Sequence, residues 1–434
     1  MKNTLLDLYR KDGTKKVLAS LISIFAGLVL GSIIAVIVGL TGNSQSFSTQ
    51  SIFDGIRLIF GGLFSTGRGA HAELTFGFNP SNWGNMFFRA VPIMMTGLSV
   101  AVAFKTGLFN IGTPGQFLMG TMGTLYVALS IPTTVVPAWL VWILAFLAGT
   151  ALGAIWGAIP GLLKATRGVN EVLACIMTNW IAGNLVYMFF KANTQLQCPP
   201  ETGKTGYIMV TAENGVATSK MGLDKLLPGS QVNGGIIIAI VIAIGVYVLM
   251  NKTTLGYQLK ACGANRHAAR YAGIKDKRNI VLSMAIAGAL AAGGASLYFL
   301  SGNAEFAWTK IYQSLPEEGF NGIPVALLAT NHPIGVIFSA IFMSMLNING
   351  QMLQNLTSYN KHLSDIIIAA IVYLSSFSLL IKMLLSKKKK EKAAPNPEAA
   401  KAEEKEEPAQ AVEEQEIPAA PEETAGDSKD AEEG

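Results

Sequence analysis

The chain has 434 residues, of which 50% are hydrophobic and only 14% charged, with a mean hydropathy of +0.40. That balance excludes a soluble globular domain and fits a chain most of which lies in lipid. The formal charge of +5 divides into a basic body, residues 1–386, with 25 basic and 13 acidic side chains, and an acidic tail, residues 387–434, with 8 and 15.

The N-terminal segment, residues 1–16, carries Lys2, Arg10, Lys11, Lys15 and Lys16 against Asp7 and Asp12, and the last apolar run ends in four lysines, 387–390. Cationic segments stay on the cytoplasmic face, so both termini are expected inside and the number of spans is expected to be even. The first apolar run, 17–40, exceeds the core of a cleaved signal and lacks a small-residue cleavage site, so it reads as a retained helix. Apolar runs place spans at 17–40, 86–104, 115–131, 135–163, 169–190, 233–250, 279–301, 319–331, 333–350 and 363–385. The expected fold is therefore an all-α polytopic membrane protein with about ten transmembrane helices in a body of residues 17–386. The runs flanking residues 110–115 and 331–333 are short or interrupted. Broken helices in lipid survive only where protein or a water-filled cavity covers the exposed backbone, so the breaks point to a transport pathway.

Between the first two spans, residues 52–64 form an amphipathic piece suited to lying flat at an interface. The stretch GLFNIGTPGQFLMG, 107–120, concentrates Gly, Pro and Asn and predicts an unwound segment, with the amides of Asn110 and Gln116 suited to ribose hydroxyls or base edges, tight helix packing being the alternative. In GVNEVLACIMTNWIAGNLV, 168–186, helical spacing gathers Glu171, Cys175, Thr178, Asn179, Ala182 and Gly183 on one face and Leu173, Ile176, Met177 and Trp180 on the other. The polar face makes Glu171, Thr178 and Asn179 pathway candidates, whereas Glu171 alone also fits as a charge at a helix N-terminus. The outer loop 191–232, with Cys198, Pro199 and Pro200 near its start, is expected to cap the outer mouth, to meet a binding protein, or to serve only as a solvated connector.

Residues 251–278 carry seven basic side chains against Asp276, which places this Gly- and Ala-rich segment on the cytoplasmic side as a short helix able to pass force to a soluble partner. Farther on, Ser283, Ala287, Ala291 and Ala295 recur every fourth residue and read as a helix-packing stripe. Glu305, Glu317 and Glu318 fall in an outer loop, where they are candidates to meet a charged partner. His332 reads as a turn residue before Pro333. Cys175, Cys198 and Cys262 show neither pairing nor metal-ligand spacing. The tail is rich in Glu, Pro and Ala, which predicts disorder and no part in transport. No GxxxxGK[ST] loop occurs, so the chain is not expected to hydrolyse ATP, and nothing points to a nucleic-acid partner.

The pattern of Gly256, Gly263, Asn265, Ala268, Ala269, Gly273 and Ile274 resembles the coupling loop of permease subunits in ABC importers of sugars, branched-chain amino acids and nucleosides. NEV with IMTNWIA, GLFNIGTPGQFLMG and GFNGIPVALLATNHPIGV carry the resemblance over about residues 87–380 and are similar to the nucleoside branch, of guanosine or purine type. The resemblance implies a type II ABC importer permease fold in the plasma membrane, working by alternating access and without catalysis of its own. It also implies an ATPase partner with two nucleotide-binding halves, a second permease that is either the same chain or a relative, and an extracellular substrate-binding lipoprotein. ATP would be hydrolysed by the partner, leaving this chain without a cofactor. Gly256, Gly263, Asn265, Arg266, Ala268, Ala269 and Gly273 would be the coupling residues. A permease for simple sugars such as ribose or galactose is the alternative within the family. An ion-coupled secondary transporter using Glu171 is the alternative from another class.

Overall fold

A computed structural model describes residues 12–41, 49–70, 72–199, 203–210, 216–311, 313–360 and 362–376. The expectations for the acidic tail and for residues 1–11 lie outside the described residues. Helices stand at all ten expected places: α1 (Asp12–Thr41), α3 (Pro80–Lys105), α4 (Thr113–Ser130), α5 (Ala138–Arg167), α6 (Glu171–Ala192), α8 (Gly235–Lys252), α11 (Asp276–Phe299), α12 (Glu317–Leu328), α13 (Pro333–Leu356) and α14 (His362–Ser376). Seven of them, α1, α3, α5, α6, α8, α11 and α13, are long and apolar enough to cross a membrane. The remaining three, α4, α12 and α14, have 18, 12 and 15 described residues. Between them lie α2 (Thr49–Gly61), the single-turn α7 (Leu223–Leu226), and the adjoining α9 (Thr254–Ala264) and α10 (Arg266–Tyr271).

Local chemistry explains the helix starts. Helix α3 begins at Pro80, six residues before the expected boundary, because Asn79 accepts from Asn82 N–H at 3.3 Å and proline suits the first turn. Proline likewise opens α4 at Pro114 and α13 at Pro333. His332 caps α13, its Nδ1 accepting from Gly335 N–H at 3.4 Å. Just before it, Thr330 and Asn331 adopt left-handed φ values of 50° and 57°, which ends α12 and makes the expected break.

Two antiparallel strand pairs were not expected from the sequence: β1 (Ser65–Arg68) with β2 (Leu74–Phe76), and β3 (Tyr207–Ile208) with β4 (Phe306–Ala307). The second pair ties the 191–232 loop to the segment after α11, and Lys204 adds an ion pair to Glu305 at 2.7 Å. The Glu305 carboxylate raises the pKa of the Lys204 ammonium, although at this exposure the pair contributes little to stability. On α2, Asp54, Leu58 and Ile59 are buried, with Arg68 meeting Asp54 at 3.3 Å, while Phe53 and Phe60, and Phe64 in the turn that follows, are turned outward. Outward phenyl groups suit a helix lying in a membrane interface.

Helix α11 runs through the centre, packed on α3, α4 and α5. Its small-residue stripe meets a second stripe on α5, Gly149, Gly153, Gly157 and Gly161, and the two backbones touch. A Cβ on Gly288 would lie 2.2 Å from the Gly153 carbonyl oxygen, and one on Gly157 would lie 2.4 Å from the Met284 oxygen. Close backbone approach maximises dispersion contact where lipid supplies no hydrophobic drive between helices. Thr124 and Ser296 add a hydroxyl–hydroxyl bond of 2.7 Å across α4 and α11.

Glu318 is not in a loop as its neighbourhood in the sequence suggests. It stands in the first turn of α12, and its carbonyl accepts from Thr96 Oγ1 at 3.0 Å, more than halfway along the 26-residue α3. The segment after α11 therefore turns back into the bundle. Gly319 then lies against Pro114, and Gly322 against the Thr96 backbone.

Candidate functional site

The segment expected to form one short helix instead forms two, α9 and α10, joined at Asn265. Thr253 caps α9 by accepting from Gly256 N–H at 3.1 Å, and Asn265 caps α10 by accepting from Ala268 N–H at 3.0 Å. Gly273, with φ 77°, closes α10. Its N–H donates to the Arg270 carbonyl while Ile274 N–H donates to the Ala269 carbonyl, a Schellman end. Arg266 and Arg270 converge on Asp276 Oδ2 at 2.7 and 2.8 Å, which anchors α10 to the start of α11. Arg266 is thus engaged within the chain.

The two helices frame a groove of about 930 Å3 lined by Tyr257, Gln258, Ala261, Asn265, Ala268 and Ala272, among others. Asn265 and Ala268 are exposed on it, whereas Ala269 is buried beneath. Tyr257 and Tyr271 are exposed by 69% and 94%. Exposed tyrosines beside a concave, small-residue surface are typical anchors of protein interfaces. Neither tyrosine was singled out in the sequence, although two aromatic rings in an otherwise small and basic segment are the signal that marks them.

Gly256 and Gly263 do not face the groove. A Cβ on Gly256 would lie 2.1 Å from the Leu249 oxygen on α8, and one on Gly263 would lie 2.5 Å from the Lys105 oxygen and 2.8 Å from Gly107 N. The groove-bearing element therefore rests, backbone on backbone, on the end of α3 and the start of the unwound segment, residues 106–112.

That unwound segment is where the polar candidates meet. Asn110 and Gln116 exchange side-chain hydrogen bonds of 2.9 and 3.2 Å, and Asn110 also accepts from Gly112 N–H at 3.0 Å and donates to Ser99 Oγ at 3.2 Å. Asn179 on α6 accepts from Gly115 N–H and donates to the Ile111 carbonyl, both at 2.9 Å. All three amides are buried, so in this state they satisfy the broken backbone and one another. Thr178 Oγ1 donates to the Cys175 carbonyl at 3.0 Å. The two faces expected of this helix are seen in its burial: Cys175, Thr178, Asn179 and Ala182 are inside, and Leu173, Ile176, Met177 and Trp180 are outside. Glu171 stands apart from the amide cluster, at the first position of α6, where it pairs with Lys164 at 2.5 Å.

Asn179→Leu would strand Gly115 N–H and the Ile111 carbonyl in a buried place, each at a cost of about 1–3 kcal/mol. Purified Asn179→Leu protein is expected to unfold at a clearly lower temperature than an Ile176→Leu control on the outer face. Equal midpoints would show that water or a shifted backbone replaces the amide.

The sequence of the chain places it among known transport proteins. The chain is 34% identical over 360 residues to the nucleoside ABC transporter permease protein NupB of Lactococcus lactis subsp. cremoris (strain MG1363), covering 78% of this chain and 94% of that one. It is 32% identical over 377 residues to the guanosine ABC transporter permease protein NupP of Bacillus subtilis (strain 168), covering 87% and 97%. It is also 31% identical over 294 residues to the glucose ABC transporter permease protein TsgB13 of Haloferax volcanii, covering 65% and 73%. No solved structure matches the chain. Residues 82–376 match the family described as branched-chain amino acid transport system / permease component. With seven membrane-length helices among the described residues, its backbone-packed core and these matches, the chain is a multi-pass membrane protein that belongs to that permease family.

Proposed function

We propose that this chain is the membrane-spanning permease subunit of an ATP-driven importer of nucleosides. The observation that carries the reading is the similarity to nucleoside and guanosine permeases over 94% and 97% of their lengths. The α9–α10 groove is the surface for a separate ATPase with two nucleotide-binding halves, so this chain catalyses nothing and binds no cofactor. A second permease completes the pathway, and an extracellular lipoprotein delivers the nucleoside. On this reading the groove and both termini lie at the cytoplasmic face of the plasma membrane, a reading supported by the basic residues of 1–16, 251–278 and 387–390. An ion-coupled carrier would leave the groove without a role. Import of a simple sugar is the second reading, favoured by the similarity to a glucose permease.

Ala268 is the residue on which to test the docking surface, because it is exposed on the groove and its replacement disturbs nothing inside. Ala268→Glu is expected to abolish ATPase co-purification and uptake of labelled guanosine, with normal amounts of permease in the membrane. Full uptake with the ATPase retained would remove the groove from the mechanism. Uptake of labelled glucose instead of guanosine by the unaltered importer would select the sugar reading.

A further inference from the structure

Inside the bundle lies a second polar cluster, built from four helices, which among the described residues shares no hydrogen bond with the amides at the unwound segment. Arg89 on α3 is half-buried in a membrane-spanning helix, and its two terminal nitrogens donate to the Gln351 side-chain oxygen on α13 at 2.9 and 2.7 Å, with the amide oriented to meet them. Glu318, beside Thr96, is surrounded by protein yet keeps solvent access, and no side chain among the described residues holds its carboxylate. The carboxylate rests against its own backbone N–H at the positive end of α12. Arg89 and Thr96 stand two turns apart on one face of α3, so Glu318, held at Thr96, is on the same side of that helix as Arg89, and Tyr298, at the end of α11, meets α3 at Phe88, the residue before Arg89. The Tyr298 ring stacks on Phe88 at 5.3 Å and 26° and meets Phe299 edge-on at 5.1 Å.

Charges inside membrane helices are costly and survive where they do work. Arg89 and Glu318 balance in charge, yet no ion pair of 4 Å or less joins them among the described residues. Together they offer a guanidinium that only donates, a carboxylate that accepts, and an aromatic surface. A neutral ligand carrying a planar ring, ring acceptors and vicinal hydroxyls satisfies all three at once. We propose that Arg89, Gln351, Glu318 and Tyr298 form a substrate-contact site for a nucleoside within the membrane. The base stacks at Tyr298 and takes hydrogen bonds from Arg89, and the ribose hydroxyls or ring N–H groups donate to Glu318. This assignment rests on the nucleoside-importer reading above. Bases stack on aromatic side chains whatever their sequence, so the ring matters as much as the charges.

The test uses the complete importer in proteoliposomes with labelled guanosine. Glu318→Gln, Arg89→Lys and Tyr298→Leu are each expected to cut uptake, normalised to permease in the membrane, at least about tenfold, the equivalent of about 1.4 kcal/mol. Glu318→Asp, which keeps the acceptor, is expected to retain part of the transport that Glu318→Gln loses. A merely structural role is separated by direct protection. In a Cys198→Ser background, guanosine is expected to slow the reaction of Glu318→Cys with a small water-soluble thiol reagent, Cys175 and Cys262 being buried. Normal guanosine uptake by all three variants, or unprotected labelling at position 318, would overturn the site while leaving the importer reading intact. Glucose uptake without guanosine uptake by the unaltered importer would overturn the nucleoside reading and this ligand assignment with it.

Discussion

Gly288→Val is expected to remove the chain from the membrane almost completely. The Cβ alone would lie 2.2 Å from the Gly153 carbonyl oxygen and 3.1 Å from the Gly157 Cα, and both are backbone atoms of α5 that cannot rotate aside. Separating the helices enough to admit two further methyl groups would also part Gly157 from Met284 and loosen the Thr124–Ser296 contact on the neighbouring helix. Overpacking of a tight core costs typically about 1–3 kcal/mol, and rigid backbone on the opposing side puts this site at the top of that range or beyond it. Against a total stability of about 5–15 kcal/mol, a loss of that size depletes the folded population and exposes the chain to degradation. Quantitative immunoblots of membrane fractions provide the check, with Gly245→Val as the control, because a Cβ at Gly245 meets nothing within 4 Å. Equal abundance of the two variants would mean that α5 and α11 can separate without loss.

The helices were legible because lipid imposes a demand that the sequence cannot hide. A crossing needs about 20 apolar residues, and the chain meets that demand in separate blocks punctuated by Pro, Gly and charge. The inside and outside faces of α6 were legible for the same reason, since period 3.6 sorts Asn179 from Ile176 before any partner is known. The partners themselves were not. Asn179 bonds to Gly115 and Ile111, which lie 64 and 68 residues away, and β3 pairs with a strand about a hundred residues later. Such contacts follow from how the helices assemble and leave no local pattern. Asn110 and Gln116 read as open amides because each is polar and lies among the glycines at 107, 112 and 115, yet they turn to each other across the break. Glu318 was misplaced because its neighbours in sequence are loop residues, whereas its neighbour in space is Thr96. The glycine repeat at 149, 153, 157 and 161 was visible in the sequence, and only its partner stripe on α11 was read.

Gly263→Val is expected to leave the ATPase bound and hydrolysing while uptake falls at least about tenfold. Gly263 faces away from the groove, so the substitution leaves Tyr257, Asn265 and Ala268 in place for the partner. Its Cβ would strike the Lys105 oxygen at 2.5 Å and Gly107 N at 2.8 Å, at the point where α9 bears on the unwound segment. On the importer reading, force entering at α9 and α10 reaches the pathway through this contact, because residues 106–112 continue directly into Asn110 and the start of α4. The variant would therefore hold α9 away from the segment it moves, and a tenfold loss needs a misalignment worth only about 1.4 kcal/mol. The measurement is the ratio of guanosine imported to ATP hydrolysed by the complete importer in proteoliposomes. A low ratio with ATPase binding retained is the expected signature, in contrast to Ala268→Glu, which loses the ATPase itself. An unchanged ratio would show that the glycine contact transmits nothing, and that coupling runs instead through the Arg266–Asp276 and Arg270–Asp276 anchors into α11.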